Sequence, residues 1–162
     1  MQDFIIRPIQ PEDNVTIASI IRAALTEFGA NKPGTVYFDD STDHLYELFQ
    51  SAPISAYYIA LKDYKIIGGA GIYPTAGLPA NTCELVKMYL AKEVRGQGIG
   101  RKMIDHCLNV AKEKGFEQVY LETMPELNKA VSVYEKFGFN YLSVPMGNSG
   151  HNGCDIWMIK QL

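Results

Sequence analysis

Two hydrophobic periods alternate along the chain, and each switch between them predicts an element boundary. Phe4 to Arg7 reads as a first strand closed by Pro8. Pro11-Glu12-Asp13-Asn14 then offers helix-start chemistry, and Val15, Ile17, Ala18, Ile21 and Leu25 follow at helical spacing. Gly29 to Gly34 reads as a loop. Asp40-Ser41-Thr42-Asp43 is placed to cap a second helix bearing Leu45, Leu48 and Phe49, ending before Pro53. Tyr57 to Leu61 and Lys65 to Tyr73 form a hairpin across Lys62-Asp63-Tyr64, and turn-rich Pro74 to Asn81 leads to a central strand, Thr82 to Leu90.

The second half switches to a helix from about Gly98 to Lys114, with Ile99, Met103, Cys107 and Ala111 along one face and Gly115 as its stop. Phe116 to Glu122 reads as a strand and Glu126 to Phe137 as a helix. Gly138 to Val144 and Cys154 to Ile159 read as two closing strands around a long loop. This order predicts a mixed sheet covered by helices.

At 162 residues, 47% hydrophobic and 20% charged, the chain suits one domain over 1–162 with a real core. A net charge of −3 without a block of like charge argues against a nucleic-acid surface. Cys83, Cys107 and Cys154 are too few and too widely spaced for a disulfide framework or a zinc pattern, and they read as reduced, buried thiols. His44, His106 and His151 are equally scattered, so no metal site is expected. The stretch Met1-Gln2-Asp3-Phe4-Ile5-Ile6-Arg7 carries no leader-type apolar region, and no run is long enough to span a bilayer, which makes a cytoplasmic location the expectation.

The most informative segment is Val94-Arg95-Gly96-Gln97-Gly98-Ile99-Gly100-Arg101, which joins the central strand to the amphipathic helix. Glycines permit positive φ and close approach, while the unpaired amides of a helix start, aided by the helix dipole, favour an anion. Arginines at both ends add charge. On these residues alone, a turn that needs glycine only for geometry remains open. A Walker loop is disfavoured because Gly100-Arg101-Lys102-Met103 lacks Lys-Ser/Thr, and a dinucleotide fingerprint because the spacing is G-x-G-x-G at mid-chain.

Arg95-x-x-Gly98-x-Gly100, opening a helix after a strand, is followed one β-α unit later by Asn-Lys-Ala-Val-Ser-Val-Tyr-Glu-Lys-Phe-Gly-Phe (128–139). Together with Ile6-Arg7-Pro8 and the element order, these motifs resemble the GNAT superfamily of N-acetyltransferases over nearly the whole chain. The resemblance implies an α/β fold: a single domain with a mixed, mostly antiparallel central sheet of about seven strands flanked by about four helices. It also implies acetyl-CoA as cosubstrate, with the backbone of Arg95, Gly96, Gln97, Gly98, Ile99, Gly100 and Arg101 on its pyrophosphate. Met88, Tyr89 and Leu90 would lie beside the pantetheine arm and thioester, by strand addition to an open sheet edge. The family's pantetheine-bonding asparagine falls at Leu127, so Asn128, shifted by one, would take that contact.

Strand alternation places Glu84 on one face with Val86, Met88 and Leu90, an apolar setting that raises a carboxyl toward the working pH of a general base. Glu84 also has the spacing to the strand end at which some family members carry a catalytic glutamate. Tyr134 sits on the apolar face of its helix and, by the resemblance, would protonate the departing thiolate. The loop Gly147 to Gly153 is either a flexible connection or a border of the acceptor pocket, where Asn148 or His151 would touch substrate; Tyr37, Phe38 and Asp39 would line the other side. The expected reaction moves acetyl to a primary amine of a small molecule or peptide by direct attack in a ternary complex. A homodimer is an expected assembly, and no nucleic acid or membrane partner is. A non-catalytic coenzyme A sensor is the alternative, against which Glu84 and Tyr134 argue.

Overall fold

In the computed structural model, which describes residues 3–162, the chain forms one sheet of seven strands. They are β1 (Ile5–Pro8), β2 (Ala56–Lys62), β3 (Lys65–Tyr73), β4 (Thr82–Leu90), β5 (Gln118–Thr123), β6 (Asn140–Leu142) and β7 (Ile156–Gln161), in the order β1-β2-β3-β4-β5-β7-β6. Every neighbouring pair is antiparallel except β4–β5. Met1 and Gln2, where the segment read for a leader begins, lie outside the described residues. Among the described residues no helix is long and apolar enough to cross a membrane.

Helices α1 (Asn14–Glu27) and α2 (Leu45–Gln50) cover one face of the sheet, where Ile17, Ile21, Leu25, Leu45 and Phe49 pack with Tyr57 and Ile59. Helices α3 (Ile99–Glu113) and α4 (Asn128–Lys136) cover the other, α3 burying Ile99, Met103, Ile104, Cys107, Leu108 and Ala111. The period-2 strands and period-3.6 helices thus close two cores on one sheet.

Local differences from the sequence pattern have local causes. Asp40–Asp43 winds into its own 3-10 turn instead of capping α2, because the bidentate bond from Arg22 to Asp43 (2.5 and 3.0 Å) draws that carboxylate away. The cap position of α2 falls to His44, which makes no side-chain cap. Pro8 lies inside β1 and not after it, tolerated because β1 is an edge strand. β6 is shorter than its apolar run, since only Asn140–Leu142 finds partners on β7, and β7 is shifted two residues later, to Ile156–Gln161.

Candidate functional site

The two parallel strands at the middle of the sheet touch only at their start. Thr82–Glu84 pairs with Gln118–Tyr120, and beyond Glu84 the strands part. The wedge between them holds a cavity of about 420 Å³, walled by Met88, Tyr89 and Leu90 of β4 on one side and by Asn128, Val133 and Tyr134 of α4 on the other. Its floor includes Leu121 and Ile104, and its outer end is formed by Arg95, Gly96, Gly98, Gly100 and Arg101.

A bulge in β4 sets the side chains of that wall. Gly71 pairs with Val86 but Gly69 with Tyr89, so β4 carries one extra residue, and Lys87 adopts a left-handed φ of 52°. The bulge overturns the expected alternation. Before it, Leu85 faces the α3 core and Val86 the α1 core; after it, Met88 and Leu90 face the α3 side and Tyr89 the α1 side. Glu84 therefore does not share a face with Met88 and Leu90. It opens instead into a smaller cavity of about 40 Å³ that shares Leu85, Lys87, Tyr89, Glu122, Thr123 and Leu127 with the large one.

The bulge is held from below. The Tyr57 hydroxyl donates to the Lys87 carbonyl at 2.8 Å in the interior. Glycines of β3 make this possible: a Cβ on Gly69 or Gly71 would come within 2.6 Å of the Tyr57 ring. Glycines inside a strand mark such close approaches, so the run Gly68-Gly69-Ala70-Gly71 is the sequence signal that points to this support. No sequence signal marks Lys87 itself.

At the other end of the cavity, Gly96 (φ 79°) and Gly98 (φ 81°) turn the chain into α3. A Cβ on either would meet open space, so there glycine answers a conformational demand and leaves the loop surface bare. Lys102 makes the first intrahelical bond, to Gly98 at 3.3 Å, which leaves the amides of Ile99, Gly100 and Arg101 at the dipole's positive end. Gly100 has another role, since its Cβ would stand 3.3 Å from Met88 and 3.5 Å from Leu90, where α3 crosses β4.

Three loop side chains are committed elsewhere. The Arg95 guanidinium donates to the Leu90 carbonyl (3.2 and 3.1 Å), pairs with Glu27 at 2.6 Å and stacks on Phe28. It is a brace for the strand end rather than a free charge beside an anion, as the bare sequence suggested. Gln97 accepts from Lys62 at 2.9 Å, and Ile99 is buried in the core. Ile99 therefore offers a ligand its backbone alone.

Around the small cavity the fold gathers polar groups from five segments. Glu84 is 4% exposed, and the Thr75 hydroxyl donates to its Oε1 at 2.6 Å. Burial pushes its carboxyl up to about 7, with the Glu122 charge reinforcing the shift and Thr75 opposing it. Glu122 accepts hydrogen bonds from the hydroxyls of Tyr120, at 2.6 Å, and Ser149. His151 Nε2 bonds Asp39 Oδ2 at 2.6 Å, and the Lys87 ammonium faces the same oxygen at 3.7 Å. Burial raises the Asp39 carboxyl, but the bond to His151 and the Lys87 charge outweigh it and hold the group below its usual range. Burial lowers Lys87.

The Gly147–Gly153 loop is thus tied down rather than free. Gly153 donates to Gly34 at 2.8 Å and Asn148 to Ala76 at 2.6 Å, so His151 is carried onto Asp39. Of the flanking trio, Asp39 reaches this cluster while Phe38 turns outward, 58% exposed. Glu122 and Lys87 are members that sequence reasoning missed. Tyr134 lies in the large cavity, 7% exposed and edge-on to Phe139, and burial raises its hydroxyl above the usual phenol range. All three cysteines are free thiols, and burial pushes each up to about 12.

The model of the acetyltransferase (GNAT) family matches residues 19–139. The uncharacterized N-acetyltransferase YjgM of Escherichia coli (strain K12) is 36% identical over 163 aligned positions, covering 99% of this chain and 96% of its own. Among solved structures, a GNAT-family acetyltransferase from Staphylococcus aureus Mu50 superposes with a TM-score of 0.85 at 18% identity, covering 98% of both chains. YncA from Salmonella typhimurium, a putative acetyltransferase solved with acetyl-CoA, superposes with a TM-score of 0.76 at 17% identity, covering 99% of this chain and 94% of its own. With the splayed central strands, the bare glycine loop and a family match over most of its length, the chain is an acetyltransferase of the GNAT family.

Proposed function

We propose that the protein transfers acetyl from acetyl-CoA to a primary amine of a small molecule or peptide, by direct attack within a ternary complex. The observation that carries this reading is the pair of joined cavities: a long one with a phosphate-type loop at its end, and a small polar one with a buried carboxylate. In it the pyrophosphate lies on the amides of Gly98 to Arg101, and the pantetheine arm runs along β4 where β5 has parted from it. Asn128 at the start of α4 borders that arm.

The chemistry follows from proton bookkeeping. An alkyl ammonium near pKa ~10 must lose a proton before it can attack. Glu84, poised near 7, takes that proton; the amine lone pair then forms the C–N bond and the C–S bond breaks. The Tyr134 hydroxyl protonates the departing thiolate and regains a proton from the nitrogen. One proton goes to solvent overall. Holding amine and thioester together supplies most of the rate, and thiols raised to about 12 are poorly suited to a covalent acetyl-cysteine route.

A thiol-release assay over amino acids, polyamines, aminoglycosides and peptide amines, with products identified by mass spectrometry, tests the reading. Amide formation with intersecting initial-rate lines is expected. Coenzyme A binding without turnover of any amine would turn the reading toward a sensor, and parallel lines toward a covalent intermediate.

A further inference from the structure

One buried amine takes no part in the reaction proposed above, that of Lys87. Its side chain is 6% exposed, and it lines both cavities, as Tyr89 and Glu122 do, where the two join. We propose that Lys87 is a self-acetylation site: in the absence of an amine acceptor the protein transfers acetyl from its own bound acetyl-CoA to Lys87 Nζ and thereby closes its acceptor cavity. The inference rests on the transferase reading.

Three observations carry it. The first is position. Lys87 directly precedes Met88, Tyr89 and Leu90, the wall along which the thioester is assigned, and its left-handed backbone is fixed by the Tyr57 bond to its own carbonyl. The amine therefore swings from a fixed root into the place where the acetyl group is brought. The second is loose pairing. Asp39 Oδ2 stands 3.7 Å away, too far for a hydrogen bond, and is already taken by His151 Nε2 at 2.6 Å; Lys87 has no shorter ion pair among the described residues. The third is protonation. Burial lowers the ammonium against the opposing charges of Asp39 and Glu84, which enlarges the share of free amine at neutral pH. Lys129 also borders the large cavity, but it is exposed to solvent.

The step balances as the transfer to a free amine does. The Lys87 ammonium gives one proton to Glu84, its lone pair forms the C–N bond to the acetyl carbon, and the C–S bond breaks. The thiolate takes the second nitrogen proton through Tyr134, and one proton reaches solvent overall. The product is a neutral amide, which passes its acetyl to no amine at neutral pH, so the change is a stop and not a relay. It strips Asp39 of a counter-charge and sets an acetyl group across the junction of the cavities. Because Lys87 lies beside the thioester within one molecule, its reaction is unimolecular, whereas exposed lysines meet acetyl-CoA only by collision.

The test incubates the wild type with acetyl-CoA alone and samples it over time, for peptide mapping by mass spectrometry and for turnover of an amine found active in the panel above. One acetyl group per chain on Lys87 is expected, gained about tenfold or more faster than on the exposed Lys112 and Lys114, at a rate independent of protein concentration, with activity falling as the modified fraction rises. Lys87→Arg, whatever its starting rate, should keep that rate through the incubation. An amine turned over while Lys87 stays unmodified overturns the self-acetylation and leaves the transferase reading intact. Acetyl spread evenly over the exposed lysines, or a rate that climbs with protein concentration, overturns it as well, as does full activity in chains acetylated at Lys87. Failure of every amine with Lys87 unmodified and coenzyme A bound overturns both.

Discussion

Replacing Glu84 by glutamine removes a charge that the folded state holds against its own burial. The residue is 4% exposed, and its carboxyl is raised from the ordinary 4.5 to about 7, mainly because burial disfavours the ionised form. A shift of that size corresponds to about 3 kcal/mol between protonation states. The sign follows from proton counts: between pH 4.5 and 7 the folded chain holds a proton that the unfolded chain has released, so stability falls as pH rises through that window. Glu84→Gln keeps the shape and leaves an oxygen to accept from Thr75. The variant should therefore match the wild type near pH 4 and exceed it by up to about 3 kcal/mol at pH 8, about 6–12 °C in melting temperature for a chain of this size. Urea denaturation of both proteins from pH 4 to 8.5 measures the difference. A gap independent of pH, or a variant less stable at pH 8, refutes the buried-carboxylate reasoning. In the same series the wild-type kcat/KM should rise through pH 7, where Glu84 becomes a base, and the variant should lose that limb.

Tyr57→Phe deletes the hydroxyl that donates to the Lys87 carbonyl at the bulge, and a loss of about 1–3 kcal/mol is expected by denaturation, with a raised KM for the amine as β4 relaxes. Tyr134→Phe should lower kcat about tenfold at unchanged coenzyme A affinity, because a thiolate needs only modest help to leave. Unaltered kcat would remove the hydroxyl from the proton path.

Much of the fold was legible because two periods dominate it. The helical spacing of Ile99, Met103 and Cys107 and the apolar runs of β2 to β5 suffice to place α3 and the central strands. The glycine loop was legible too, since positive φ and a bare surface are what glycine supplies. What escaped depends on long-range contacts. Lys87 takes its left-handed turn only because Tyr57 and the β3 glycines accommodate it, and that one residue redirects the wall beyond it. Glu122 comes beside Glu84 through the pairing of β5 with β4, His151 joins them because distant hydrogen bonds fold the 147–153 loop inward, and Arg95 is drawn from the ligand side by Glu27 on another helix. Asp43 likewise left its expected cap for Arg22.

The most direct test of the cofactor site is calorimetric titration of coenzyme A into the wild type and Gly98→Trp. The Gly98 side-chain position is open and faces the helix start, so the indole fills the place assigned to the pyrophosphate, while the left-handed φ of 81° costs the fold only about 1–2 kcal/mol. One binding site per wild-type chain and none in a folded variant is the expected result. Equal affinity in both proteins, or no binding by the wild type, would contradict the assignment of this cavity to coenzyme A.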